Sequence, residues 1–178
     1  LKNKSMTILL IIALIIVIPL VIALFIPKDY AIERFTFINR PKHEVFDYIK
    51  YLKNQDHYSK WVMTDPDMKK TFTGTDGEIG FIYAWNGNKK AGEGEQEITG
   101  ITDGERITAE IRFVRPFKNV GHTYMDTEAD SEHGTKVIWG MTGRSPYPLN
   151  LMTAMLKGAL GNDISVSLNN LKKILESK

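Results

Sequence analysis

The residues from Gly80 to Ile98, GFIYAWNGNKKAGEGEQEI, hold the most suggestive spacing in this chain of 178 residues. Gly92-x-Gly94 matches the first two glycines of a dinucleotide loop. Glu97 stands where the third glycine is required, and no helix pattern follows. Side chains alternate around it as in a strand, so the phosphate-loop reading is rejected. Glu93, Glu95 and Glu97 share one face of that strand, and Glu110 and Arg112 share the same face of the next. Cross-strand pairing makes them a solvated, charge-balanced surface rather than a pair of catalytic carboxylates. His43, His57, His122 and His133 show no metal-ligand spacing. His43-Glu44 lacks the second histidine of a zinc-protease helix. Gly143-Arg144-Ser145-Pro146-Tyr147 fails the nucleophile-elbow pattern at its last position. There is no cysteine, which excludes disulfides, thiol nucleophiles and thiolate metal sites. No metal and no cofactor is expected. His57, Tyr58 and Tyr83 remain as weak acid–base candidates.

The elements that must position these residues follow from period and punctuation. Ile32–Ile38 reads as a strand, ended by Asn39-Arg40-Pro41. Proline suits a helix start, and Val45, Phe46, Ile49 and Leu52 then recur at helical spacing. A second short helix is expected from Gln55 to Trp61. Next come four turn signals, Thr75-Asp76-Gly77, Asn86-Gly87-Asn88, Asp103-Gly104 and His133-Gly134. With the break at Arg115–Asn119 they predict six strands: 69–75, 78–85, 91–101, 106–114, 120–129 and 135–142. Short links make them an antiparallel meander. Met152, Met155, Leu156, Leu160, Ile164, Leu168, Leu171 and Leu175 step by three or four, predicting a long helix from about Asn150. Gly158 and Gly161 weaken its first half. A sheet with one apolar face needs a cover, and this helix supplies it.

Residues 1–27 form a separate unit, with the globular domain at 28–178. Ile8 to Ile26 carries no charge. At ~1.5 Å per residue it reaches roughly 28 Å, about the hydrocarbon thickness of a bilayer. That exceeds the apolar core of a cleaved signal, and Val21-Ile22-Ala23 is its one weak cleavage site. A transmembrane anchor is therefore expected. Lys2 and Lys4 account for the whole net charge of +2. They favour an amino-terminal side in the cytoplasm and a domain outside the cytoplasmic membrane, held by a short linker. The remaining chain is neutral overall, without the basic stripe that nucleic acid requires.

The order strand, two helices, six strands, long helix resembles the START-like or SRPBCC superfamily, the helix-grip fold of the birch pollen allergen and polyketide cyclases. The residues that carry the resemblance are Pro41 with Val45-Phe46, Trp61, Gly74–Gly77–Gly80, Tyr83-x-Trp85, Gly92-x-Gly94 and Pro116-Phe117. Gly134-Thr135-Lys136-Val137-x-Trp139 and Leu168-x-x-Leu171-Lys172 complete it. The match runs from Tyr30 to Glu176 and is most similar to small, membrane-anchored bacterial members labelled "polyketide cyclase". It implies an α+β fold: a seven-stranded curved antiparallel sheet wrapped around a long C-terminal helix. It also implies an apolar cavity between sheet and helix.

Strand alternation places Ile79, Phe81, Tyr83 and Trp85 on one face, with Gly92 and Gly94 inward on the next strand. The expected ligand-binding residues are Trp61, Phe81, Tyr83, Trp85, Phe113, Phe117, Met125, Trp139, Met141, Met152, Met155 and Leu156. Large aromatics, inward glycines and methionines together fit an adaptable apolar pocket. Three readings follow. The chain is a membrane-tethered binding module for a lipid or other small apolar ligand, a cyclase- or dehydratase-type enzyme acting on an apolar carbonyl compound, or a protein-interaction domain with a filled core. The missing acid–base pair favours the first.

Overall fold

The computed structural model describes residues 2–132 and 134–177, apart from the side chains of Lys2, Asn3, Ser5 and Leu156. His133, which opened one expected turn, lies outside the described residues. Helix α1 (Lys2–Phe25) precedes strand β1 (Asp29–Ile38), helix α2 (Lys42–Ile49) and a short helix α3 (Gln55–Tyr58). Single 3₁₀ turns at Leu52–Asn54 and Val62–Thr64 flank α3. The second helix, expected from Gln55 to Trp61, is thus shorter and ends at Tyr58. Six strands follow: β2 (Lys69–Thr73), β3 (Ile82–Asn86), β4 (Glu93–Thr102), β5 (Arg106–Arg115), β6 (Asn119–Asp130) and β7 (Gly134–Arg144). Helix α4 (Asn150–Glu176) ends the chain.

All seven strands form one antiparallel sheet in the order β1-β7-β6-β5-β4-β3-β2. The meander accounts for every neighbour except β1, which closes on β7. Val45, Phe46 and Ile49 of α2 and Ile164, Leu168, Leu171 and Leu175 of α4 bury the inner face. Each such side chain contributes about 1.5–3 kcal/mol by leaving water. Truncating Leu171, which is fully buried, would cost about 2–5 kcal/mol. The outer face is charged as the alternation requires. Arg112 donates hydrogen bonds to Glu95, Glu97 and Glu110 at 2.6–2.7 Å.

Two expected strand starts are corrected. The 78–85 strand begins only at Ile82, and Ile79 is exposed rather than inward. Gly74, Gly77 and Gly80 all have positive φ, so the chain turns repeatedly before it can pair. The 91–101 strand begins at Glu93, and Gly92 is a turn residue at φ +69° rather than an inward strand glycine. A Cβ on Gly92 would meet the Arg115 carbonyl oxygen at 2.5 Å. Gly94 does face inward, but the Trp85 ring fills the space its side chain would take.

The two halves of α4 differ. Residues 164–175 carry the buried stripe, while Ala154, Met155, Lys157 and Gly158 are exposed. Gly161 is buried and admits the Arg34 guanidinium of β1 against the helix. The start of α4 is fixed differently. The Asn150 amide, 1% exposed, donates to the Ala23 carbonyl at 2.7 Å and the Ile26 carbonyl at 2.8 Å. Those carbonyls belong to the end of α1, where intrahelical donors run out. The Ser145 N–H donates to the Lys28 carbonyl at 2.8 Å. The expected short linker is therefore a hydrogen-bonded junction. Residues Met6–Phe25 of α1 are long and apolar enough to cross a membrane, and nearly all of them are exposed.

Candidate functional site

Between the inner face of β3–β7, the α3 segment and the middle of α4 lies a cavity of about 140 Å³. Its walls are mostly aromatic and aliphatic. Trp139 of β7 is the centre of one cluster, edge-on to Trp61 at 6.1 Å and to Tyr58 at 6.0 Å between ring centroids. Trp85 and Phe113 pack edge to face at 6.0 Å across β4. Such contacts, together with ring burial, hold the wall in one shape. The indole N–H groups of Trp139 and Trp85 are satisfied within the protein. Trp139 donates to Thr123 Oγ1 at 2.9 Å, which in turn donates to the Gly140 carbonyl at 2.8 Å. Trp85 donates to the Ala91 carbonyl at 3.2 Å.

No charged side chain lines the cavity among the described residues. The polar residues of the lining are Gln55, Ser59, Gln96, Thr123 and Tyr83. Tyr83 donates to Asp56 at 2.6 Å, and Asp56 is paired with Lys70 at 2.9 Å. Burial, then the hydrogen bond to Asp56, hold the Tyr83 phenol far above its usual range. Its proton is committed to a carboxylate, so Tyr83 is poorly placed to act as a base near neutral pH. Gln96 is different. It projects from β4 between Gly94 and Ile98, is 9% exposed, and its side-chain amide has no hydrogen-bond partner among the described residues. Gln55 faces the same space, also without a side-chain partner. Both border a smaller inner void of about 10 Å³, walled by Ile107, Ala109 and Met125. A space of that size holds one water at most. Among the described residues no cluster of histidine, aspartate and glutamate could hold a metal ion.

The structure does not keep the twelve expected binding residues together. Trp61, Tyr83, Trp85, Phe113, Trp139 and Met141 line the cavity. Met125 lines the inner void, and Phe81 is core, stacked on Phe72 at 6.2 Å. Phe117 and Met155 point to the outside, and Met152 is half-buried without reaching the cavity wall. The Leu156 side chain lies outside the described residues. Among the described residues of α4 the wall residue is Leu160, one turn further along the predicted stripe. His57 and Tyr58 do not line the cavity; Tyr58 is fully buried beneath Trp139.

A family model described as polyketide cyclase / dehydrase and lipid transport matches residues 31–176. The chain belongs to this family. No curated protein matches it. Solved structures share the fold of this cyclase and lipid-transport family member at low identity. A Mesorhizobium loti protein aligns with TM-score 0.62 and 12% identity, over 84% of this chain and 98% of that one. Ara h 8.0201 aligns with TM-score 0.56 and 12% identity, over 84% and 99%. The di-domain ARO/CYC StfQ from the steffimycin biosynthetic pathway aligns with TM-score 0.61 and 11% identity, over 84% of this chain and 51% of that one. These likenesses establish the helix-grip fold expected from the sequence. In this family member the sequence reading missed Gln55, Ser59, Gln96 and Leu160 as wall residues. The signal for Gln96 was its place in the alternation, two residues from Gly94 and two from Ile98.

Proposed function

We propose that this protein binds a small, neutral, largely apolar molecule in the cavity, beside a membrane to which α1 tethers it. The observation that carries the reading is the wall: aromatic and aliphatic, without a charge, and interrupted by two amides that no protein group satisfies. An uncharged wall disfavours a carboxylate or phosphate inside, because a buried unpaired ion is costly. Unpartnered amides favour a ligand with one carbonyl or hydroxyl among apolar atoms. Volume limits size. About 140 Å³ is close to an engineered cavity of ~150 Å³ that takes benzene, and below the ~300–1,000 Å³ of drug-sized sites. One ring, or the terminal segment of a longer chain, fits. Of the expected residues, Trp61, Tyr83, Trp85, Phe113, Trp139 and Met141 would form the binding wall.

The family description also covers cyclases and dehydrases. An enzymatic reading on a carbonyl compound needs a proton donor aimed at the cavity, and the Tyr83 hydroxyl points to Asp56 instead. The open volume weighs against a filled core that serves protein partners alone. Residues 1–27 would be the anchor and 28–178 the binding domain. Lys2 and Lys4 favour a cytoplasmic amino-terminal side with the domain across the membrane.

Native mass spectrometry of the full chain, released gently from membranes, tests the reading. A discrete added mass that is lost on denaturation and extracts into organic solvent is expected. A bare mass, with no uptake of acetophenone or similar neutral aromatic probes, would overturn it.

A further inference from the structure

The sheet register fixes what lies at the end of the domain nearest α1. Asp29, the first residue of β1, faces Arg144. Moving across the sheet, Phe113 faces Asn119, Glu93 faces Arg115, Asn86 faces Glu93, and Lys69 faces Asn86. The 115–119 turn and the 86–93 turn therefore share one end of the sheet with the α1–β1 junction. Asn150 pins the start of α4 to that junction, so the 144–150 link lies there too.

This end is apolar at its tips and basic around them. Phe117 is 50% exposed, Tyr147 41% and Met155 76%. Lys89, Lys90 and Lys118 are exposed and have no carboxylate partner among the described residues. Of the acids here, Glu93 is paired with Arg115 at 2.8 Å and Asp29 with Arg144 at 3.6 Å, Asp65 is buried and accepts from the Asn88 N–H at 2.6 Å, and Asp67 stands on the neighbouring turn. Part of the cavity wall lies at this same end: half-buried Trp85 and Phe113 stand close to the last rungs of β3 and β5, and half-buried Ala91 lies in the 86–93 turn.

We propose that this end of the domain is a bilayer-docking face. Phe117, Tyr147 and Met155 enter the boundary between headgroups and acyl chains, where apolar tips flanked by basic residues are favoured. Lys89, Lys90 and Lys118 meet anionic headgroups. The cavity mouth then opens onto lipid, and ligand moves between bilayer and wall without crossing water. The proposal rests on reading α1 as a membrane span, since the span brings this end to the surface.

The chain has no cysteine, so single labels are clean. Four full-length variants, Phe117→Cys, Met155→Cys, Ile15→Cys and Asp103→Cys, carry an environment-sensitive fluorophore in phosphatidylcholine–phosphatidylglycerol vesicles. Asp103 sits on the β4–β5 turn at the opposite end of the sheet and serves as the aqueous reference. Labels at 15, 117 and 155 are expected to resist aqueous iodide and to be quenched by nitroxide-bearing lipids, with 103 behaving oppositely. Replacing Lys89, Lys90 and Lys118 by glutamine should reduce protection at 117 and leave 15 unchanged. If 117 and 155 are as open to iodide as 103 while 15 stays in lipid, the docking face is wrong and the anchor stands. If 117 resists iodide without nitroxide-lipid quenching, a protein contact covers it and the proposal fails. If 15 is also open to iodide, the anchor reading fails and takes this proposal with it.

Discussion

Replacing Gln96 by methionine should stabilise the unliganded protein and weaken its grip on a carbonyl-bearing ligand. Methionine keeps the length of the side chain and suits an irregular apolar wall. An unsatisfied buried amide costs about 1–3 kcal/mol. Gln96 keeps 9% exposure beside a cavity that has room for water, so the lower part of that range applies. The gain should be about 1 kcal/mol, which for a chain of this length raises Tm by ~2–4 °C. Calorimetry of the full chain in one detergent reads the shift. Affinity should move the other way. A neutral hydrogen bond is worth about 0.5–1.5 kcal/mol net, so the wild type should prefer acetophenone over ethylbenzene by about fivefold. The preference should vanish in Gln96→Met. Tryptophan emission reports binding, since Trp61, Trp85 and Trp139 all line the cavity. A fall in Tm would mean that the amide is satisfied in the native state. An unchanged preference would mean that Gln96 does not read the ligand.

Gly94→Ala would place a Cβ 2.6 Å from the Arg112 carbonyl oxygen and 2.8 Å from the Trp85 ring. Overpacking of this kind costs about 1–3 kcal/mol, and thermal unfolding with a shift in tryptophan emission should show it. Asn150→Ala removes both donors from the Ala23 and Ile26 carbonyls, but it also removes a buried Oδ1 that has no partner. The two effects oppose, leaving a loss of about 1–2 kcal/mol at the junction. Trypsin cleavage after Lys28 should then speed by roughly 5–30-fold while the domain stays folded. At high pH the tyrosines set the sign. Hydrogen bonding to Glu33 leads the rise of Tyr124 to about 12 from the usual 10.0. Burial raises Tyr58 and Tyr83 as well. Below pH ~10 these phenols are protonated in both states and their contribution is complete. Above it the unfolded chain loses protons first, so urea midpoints should fall as pH climbs from about 10 toward about 12.

The sheet was legible because its signals are local. Asp-Gly and Asn-Gly turns and the two-residue alternation of β4 and β5 placed the strands within a few residues and put Glu95, Glu97, Glu110 and Arg112 outside. The starts of β3 and β4 were less legible. Glycine in a strand pattern reads equally as an inward residue or as a positive-φ turn, and Gly80 and Gly92 took the second option. The helical stripe of α4 was plain, but periodicity cannot say which turns of the stripe meet the sheet. Met152 and Met155 belong to the turns that Asn150 draws toward α1, and Leu160 lies over the cavity. Phe117 follows a proline in a turn, where an aromatic has no strand to aim it inward. Gln96 shares the face of Gly94 by alternation, yet polarity at an inner position does not by itself mark a site.

Asn150 shows why the relation between α1 and the domain was not readable. In sequence it is a polar residue at a helix start, an ordinary place for asparagine. In the fold its side chain does not cap α4; it supplies donors to the carbonyl end of a different helix, 124 and 127 residues earlier in the chain. Beyond that end α1 has nearly all its side chains exposed, so little else ties it to the domain. Orphan carbonyls near a bilayer are expensive, since lipid offers no donor. Satisfying them from the domain fixes α1 against the start of α4 and, on the proposed reading of α1 as a membrane span, selects which end of the sheet lies close to lipid. The cavity size acquires meaning from that choice. A carrier that works in open water must enclose its whole apolar cargo, and about 140 Å³ encloses little. A domain whose cavity mouth is held at the bilayer need enclose only the part that it reads, and the lipid can solvate the rest.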